Sequence, residues 1–328
     1  MLVLSFSDLH IHNYQQFDKN GSRLANCLNV LELVFKFAAK NGIEFILFSG
    51  DLYDNQKALP TEVVNLVVDK FAKMFATYTG ITFLAISGNH DHASKNLLKK
   101  PAVTALTHLD LMFDNFKLID NTDYPLDDNG ELGVIGVPHY EHSEDYHTAL
   151  TDMLPFTNDY QKTILLCHQT PSGLNNPNIP FDTDVHNELY EGFELILNGH
   201  IHAFQEITPK FINVGSPLHR DLGDLGVNKG FLVIDTDAIG EEKFYKFVST
   251  KGKYPEFELV KLKEGEELKK DDFNYLIPIR EVKQSMSLDI NTEEFGGGLT
   301  DENLVRNYWK KVSKDEALLF TGLKFLKD

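Results

Sequence analysis

Five short polar clusters carry the residues of this chain best suited to chemistry: Ser7-Asp8-Leu9-His10, Gly50-Asp51-Leu52-Tyr53-Asp54, Gly88-Asn89-His90-Asp91, Cys167-His168-Gln169 and Gly199-His200-Ile201-His202. Carboxylate oxygen and neutral imidazole together suit borderline divalent ions such as Mn²⁺, Fe²⁺ or Zn²⁺. In Asp8-Leu9-His10 and His200-Ile201-His202, alternate residues leaving an extended strand end can point to the same side. A lone carboxylate flanked by two such sets can bridge two ions. Two ions roughly 3.5–4 Å apart can activate a water and clamp both oxygens of an in-line phosphoryl displacement. Glycines ahead of Asp51, Asn89 and His200 let the backbone turn sharply and approach such a site.

The elements that must position these clusters are legible as apolar runs. Strands are expected at residues 2–6, 45–48, 81–86, 164–167 and 194–197, each ending at one cluster. Strand C-termini in an open α/β sheet converge on one rim, where ligands bind. Leu24, Leu28, Leu31, Phe35 and Ala38 mark one face of a helix between the first two strands. Val63, Leu66, Val67, Phe71, Met74 and Phe75 mark a second, started by Pro60 and Thr61. Further strands are expected at 116–119, 132–137, 211–214, 231–235 and 243–248, with a loop at 174–184. This alternation implies an α/β domain with a largely central sheet.

Composition shifts near residue 250, and residues 249–255 read as a linker. A strand at 275–279 and a break at Gly296-Gly297-Gly298 follow. Two short amphipathic helices then begin at Thr300 and Ser313. The expected organisation is a domain over 1–249, a linker and small capping or DNA-contact region over 250–299, and a helix-loop-helix over 300–328.

The 328 residues carry a formal net charge of −18. That charge argues against a basic nucleic-acid-binding face, although bound divalent cations would offset part of it. No apolar run reaches the roughly 18 residues a membrane span needs. No basic leader precedes the first strand, and Cys27 and Cys167 cannot build a disulfide framework. A cytoplasmic protein without membrane attachment is the expectation.

The order and spacing of the five clusters resemble the calcineurin-like metallophosphoesterases over residues 1–236. The resemblance implies that family's double β-sheet sandwich flanked by helices, here with a small C-terminal α+β appendage. It implies two divalent ions, Mn²⁺ foremost, with Mg²⁺, Fe²⁺ or Zn²⁺ as alternatives. Asp8, His10, Asp51 and His202 would hold one ion, and Asp51, Asn89, His168 and His200 the other, with Asp51 bridging. His90 would stabilise the transition state or protonate the leaving oxygen, oriented by Asp54. Asp91 would support the neighbouring loop.

Asp54-Asn55-Gln56 and His90-Asp91 depart from the Asp-Arg-Gly and His-Glu of protein phosphatases. Asn213-Val214-Gly215-Ser216-Pro217-Leu218-His219-Arg220 with Lys229-Gly230-Phe231 is similar to the signature of SbcD-type double-strand-break repair nucleases. Val214 stands where that signature often has proline. The short chain resembles the phage members, which would place it in the host cytoplasm.

The resemblance implies DNA as substrate, a coiled-coil SbcC-type ATPase docked through the terminal helices, and a homodimer. Leu97, Leu98, Val103 and Leu106 are candidate apolar dimer contacts. Arg220 and His139 are candidate substrate contacts. Lys95, Lys99, Lys100 and Lys229 read as solvated charges. The alternatives are a small-molecule or RNA phosphodiesterase of the same superfamily, and a non-catalytic scaffold, which would be expected to have lost ligands.

Overall fold

The computed structural model describes residues 1–19, 21–54, 59–92, 104–173, 181, 183–263, 266–268, 271 and 273–280. The expected terminal helices, the Gly296–Gly298 break and Leu97, Leu98 and Val103 lie outside them. The elements run β1 (Leu2–Phe6), α1 (Ser22–Lys40), β2 (Phe45–Phe48), α2 (Thr61–Thr77), β3 (Thr82–Ala85), α3 (Thr107–Met112) and β4 (Phe116–Leu118). They continue as β5 (Thr122–Pro125), β6 (Leu132–Val137), α4 (Ser143–Met153), β7 (Lys162–His168), β8 (Leu195–Gly199), β9 (Gln205–Thr208) and β10 (Phe211–Asn213). The last are β11 (Gly230–Asp235), β12 (Tyr245–Ser249), β13 (Phe257–Leu262) and β14 (Tyr275–Arg280).

Two six-stranded sheets result, ordered β12-β11-β1-β2-β3-β4 and β5-β6-β7-β8-β10-β9. Their centres are parallel, through β1-β2-β3-β4 and β6-β7-β8-β10, with antiparallel strands at the margins. Both faces of the central strands are buried, which is why they read as continuous apolar runs. Leu4, Phe6, Ile46, Phe48 and Phe83 pack against α1 and α2 residues such as Leu31, Phe35 and Phe71. Val3, Leu47 and Leu84 face the other way and meet Val134, Ile164, Leu166 and Leu197 between the sheets. Ile135, Leu165 and Ile196 pack against Tyr146 and Leu150 of α4. The layers are therefore helix, sheet, sheet, helix, a double sandwich in place of a single central sheet.

The core face of α1 is centred on Cys27, Val30, Leu31, Val34, Phe35 and Ala38, with Leu24 and Leu28 partly buried beside it. Leu106 is fully buried in the helix-side core. The strand expected at 275–279 is β14, and it pairs in parallel with β13. Lys19 Nζ donates to the carbonyls of Asp271 (2.6 Å) and Asn274 (2.9 Å), tying that pair to the segment before α1.

Candidate metal centre

The strand ends deliver their clusters by unusual backbone turns. Six described non-glycine residues have positive φ, and four are candidate ligands: Asp8 (54°), His10 (46°), Asp51 (60°) and His200 (85°). Left-handed backbone is costly for a residue with a Cβ, and it persists where the surroundings over-determine it. Here the turns swing successive side chains inward. Gly50 must be glycine: its φ is +91°, and a Cβ there would meet His168 Nδ1 at 2.6 Å and Gly88 Cα at 2.9 Å.

Besides His10-Asp54-His90, two groups of ligand atoms converge, Asp8-His10-His202 and Asp51-His168-His200. Asp51 joins them. Its Oδ2 lies 3.5 Å from His10 Nε2 and 3.3 Å from His168 Nε2. Asn89 Oδ1 belongs with the second group, 3.1 Å from His168 Nε2 and 3.0 Å from His200 Nδ1. In the first group His10 Nε2 and His202 Nε2 face each other at 3.1 Å. All seven expected ligands are thus brought together, with the Asp51 carboxylate lying between the two groups.

Outer partners aim these rings. His168 Nδ1 donates to Ser49 O (2.7 Å), which turns Nε2 to the centre. His10 Nδ1 lies 3.2 Å from Asp54 Oδ1. Asp8 accepts from Ser7 Oγ and from His200 N (3.1 Å), so the two sheets are stitched at the site.

Asp91 holds the second and third clusters together. Its Oδ2 accepts from the backbone N–H of Asp51 (2.8 Å), Leu52 (3.2 Å) and Gly88 (3.0 Å), and its Oδ1 from Tyr53 (2.9 Å).

The electrostatics follow from burial and from this crowding. Burial lowers His10 to about 4 against the pull of Asp54 and Asp51. Burial and the neighbouring histidines take His200 to about 2. Burial also disfavours the charged form of His168, but the Asp51 carboxylate more than reverses this and pushes His168 up to about 9. Asp51 is held well below the carboxylate range by His168, against burial. The site therefore presents neutral imidazoles on either side of a buried carboxylate, with a proton on His168 that a cation would displace.

His90 is placed as expected beside the centre, its ring 4.8 Å from that of His10. The expected orienting contact from Asp54 is made differently. His90 Nδ1 donates to the Asp54 carbonyl oxygen (2.6 Å), whereas the Asp54 carboxylate serves His10 and pairs with Arg220 Nη2 (2.9 Å). The Asp54 side chain is close to His90 but engaged with those two partners.

Arg220 reaches the site and is about a quarter exposed. His139 stacks on His200 at 5.7 Å, with Nδ1 donating to His168 O (2.9 Å). Lys229, expected to be a solvated charge, is buried: the interior supplies three acceptors for its ammonium, so burial leaves no donor unpaired. Cys167 is buried, and its Sγ donates to Asn198 Oδ1 (3.3 Å). Lys95, Lys99 and Lys100 lie outside the described residues.

The sequence reading gave Ser7 no role of its own and did not single out Asp224 or Asp120. The Asp120 carboxylate accepts from Ser87 N (2.8 Å) and Ser87 Oγ, and its burial pushes it up to about 6. Ser87 Oγ also meets His92 Nε2 at 2.9 Å.

The model of the calcineurin-like phosphoesterase family matches residues 1–204, well over half of the chain. The chain belongs to that family. Solved structures of similar fold include TT1561 of Thermus thermophilus, which is 14% identical at a TM-score of 0.50 and covers 76% of this chain and 99% of its own. A dimetal phosphatase from Danio rerio is 10% identical at a TM-score of 0.42, covering 71% of this chain and 91% of its own. At 14% identity the likeness to TT1561 is one of fold alone. No curated protein matches the chain.

The donor set fits the divalent cations that this phosphoesterase family implies. Carboxylate, amide and imidazole atoms converge, His168 is aimed by its outer nitrogen on Ser49 O, and two of the imidazoles are held neutral, as ligation requires.

Proposed function

We propose that this phosphoesterase is a two-metal phosphodiesterase that cleaves DNA, a nuclease of the SbcD type. The observation that carries the metal chemistry is the Asp51 carboxylate between two ligand groups. Asp8, His10, Asp51 and His202 would hold one ion; Asp51, Asn89, His168 and His200 would hold the other. When bound, the ions, Mn²⁺ foremost, would activate water and offset charge on the phosphodiester.

The chain's own groups do the rest. The Asp54 carbonyl accepts from Nδ1–H of His90 and leaves Nε2 free; protonated there as well, the imidazolium would hand its Nε2 proton to the leaving oxygen and return to the neutral Nδ1–H form. Arg220 offers a half-neutralised guanidinium to a phosphate at the edge of the centre. The DNA assignment is supported by the similarity of residues 213–231 and of Gly50-Asp51-Leu52-Tyr53-Asp54 to SbcD-type nucleases. The same similarity supports action in recombination or double-strand-break processing, with a coiled-coil ATPase bound through residues 300–328 and a second copy of this chain. A cytoplasmic address agrees with that role, and no helix among the described residues is long and apolar enough to cross a membrane.

The test is cleavage of linear double-stranded DNA with EDTA, Mg²⁺ or Mn²⁺, beside Asp51→Ala and His90→Ala. Metal-dependent cleavage should vanish in Asp51→Ala and fall about 10²–10⁴-fold in His90→Ala with Mn²⁺ affinity retained. Hydrolysis of bis-p-nitrophenyl phosphate without cleavage of any DNA, with the ATPase partner also present, would refute the nuclease assignment. Unchanged turnover in His90→Ala would refute its proton-delivery role.

A further inference from the structure

Lys229 is the most fully engaged buried cation among the described residues. Its Nζ donates to His202 O (2.8 Å), Ser216 Oγ (2.9 Å) and Asp224 Oδ1 (2.6 Å), three acceptors for three ammonium protons. Each acceptor leads to the site. His202 is a candidate ligand, and its carbonyl also accepts from Ser216 N (3.1 Å). Asp224 Oδ1 lies 3.8 Å from His202 Nδ1, while Oδ2 accepts from the backbone N–H of Arg220 (2.7 Å). The turn at Gly215 presses on the His202 segment so closely that a Cβ there would meet Phe204 N at 2.6 Å. The Gly215 carbonyl accepts from Ser7 Oγ, which also donates to Asp8.

We infer that Lys229 and Asp224 are positioning residues: a buried ion pair that locks the His202 loop to the Arg220 turn. One ligand and one substrate-facing guanidinium are thereby held in register. A buried pair with every donor satisfied fixes geometry, and removing one partner leaves the other uncompensated. The inference rests on the reading of His202 as a ligand.

The full chain carrying Lys229→Met keeps the aliphatic stem and loses the ammonium. Two measurements separate the possibilities. Calorimetric titration with MnCl2 should show one ion bound about 10–100-fold more weakly and the other unchanged, as in His202→Ala. Hydrogen exchange on the metal-free protein should accelerate at the Ser216 and Arg220 amides, which the hub holds, but not in β7 or β8. Affinities within threefold of wild type, with unchanged exchange at those amides, would overturn the inference. If wild-type protein binds no Mn²⁺, the metal-centre reading fails, and the hub is judged on exchange alone. Should Lys229→Met fail to fold, Asp224→Asn keeps the size and two of the lysine bonds, and faces the same two readouts and the same refutation.

Discussion

Asp91 offers the sharpest test of how the centre is built. Its carboxylate collects four backbone N–H groups from two loops that are nearly forty residues apart in sequence. Asp91→Ala leaves all four without a protein acceptor. Each buried donor left unpaired costs about 1–3 kcal/mol, a gross loss of about 4–12 kcal/mol. Two effects oppose that loss. Burial and the Asp51 charge push Asp91 up to about 7, so removing the carboxylate relieves repulsion. Water can also enter the vacated polar space. A net loss of about 3–5 kcal/mol is therefore expected for Asp91→Ala. Asp91→Asn can keep its oxygen on the three donors at Oδ2 and strand only Tyr53 N–H against the amide, for about 1–3 kcal/mol. Thermal and urea unfolding in EDTA measures both variants without any contribution from bound ions. The required order is wild type, then Asn, then Ala, with Mn²⁺ affinity weakened in the same order because Asp51 loses its support. An alanine variant within about 1 kcal/mol of wild type would refute the clamp, since no single donor could then be carrying a buried-group penalty.

Two further outcomes follow from the same geometry. Mn²⁺ should raise the melting temperature relative to EDTA, by the equivalent of about 2.7 kcal/mol at a hundredfold excess over Kd, and Asp51→Ala should abolish the shift; an equal shift in that variant would place the ions elsewhere. Asp120 is raised to about 6 by burial, so its contribution to stability is fully present below the unfolded-state pKa and is lost as pH rises through about 6. Between pH 4 and pH 7 wild type should lose roughly 2–3 kcal/mol relative to Asp120→Asn, and a pH-independent difference in urea midpoints would contradict that assignment.

The five clusters were legible because strands buried on both faces leave unbroken apolar runs, and the polar residues that end them stand out. β5 and β9 gave no such signal: they are short margin strands without fully buried residues. β13 has its apolar residues interrupted by Glu258 and Lys261, and α3 is only six residues long. The supporting side chains were illegible for a different reason. Asp224 and Asp120 act through partners with no fixed sequence offset, 22 residues away for His202 and 33 for Ser87. Lys229 read as a solvated charge because a sequence does not announce three acceptors waiting in the interior. Asp54 was linked to His90 by analogy, whereas the chain solves that contact with a carbonyl and directs the carboxylate to His10 and Arg220.

Those supporting pairs bear on the acidity of the chain. Within the centre, Arg220 pairs with Asp54 and Lys229 with Asp224, so the nearby lysine and arginine charges are already engaged. Asp8 and Asp51 remain, buried and facing histidines, with no Lys or Arg partner among the described ion pairs. Without an ion the proton on His168 meets the Asp51 charge, and an arriving cation would take that proton's place. The strained backbone at Asp8, His10, Asp51 and His200 points the same way: rigid partners hold the donors converged before any ion binds, so binding need not supply the cost of gathering them. A net charge of −18 is thus compatible with a phosphodiester substrate if the positive charge that meets it comes from the bound ions, with Arg220 beside them.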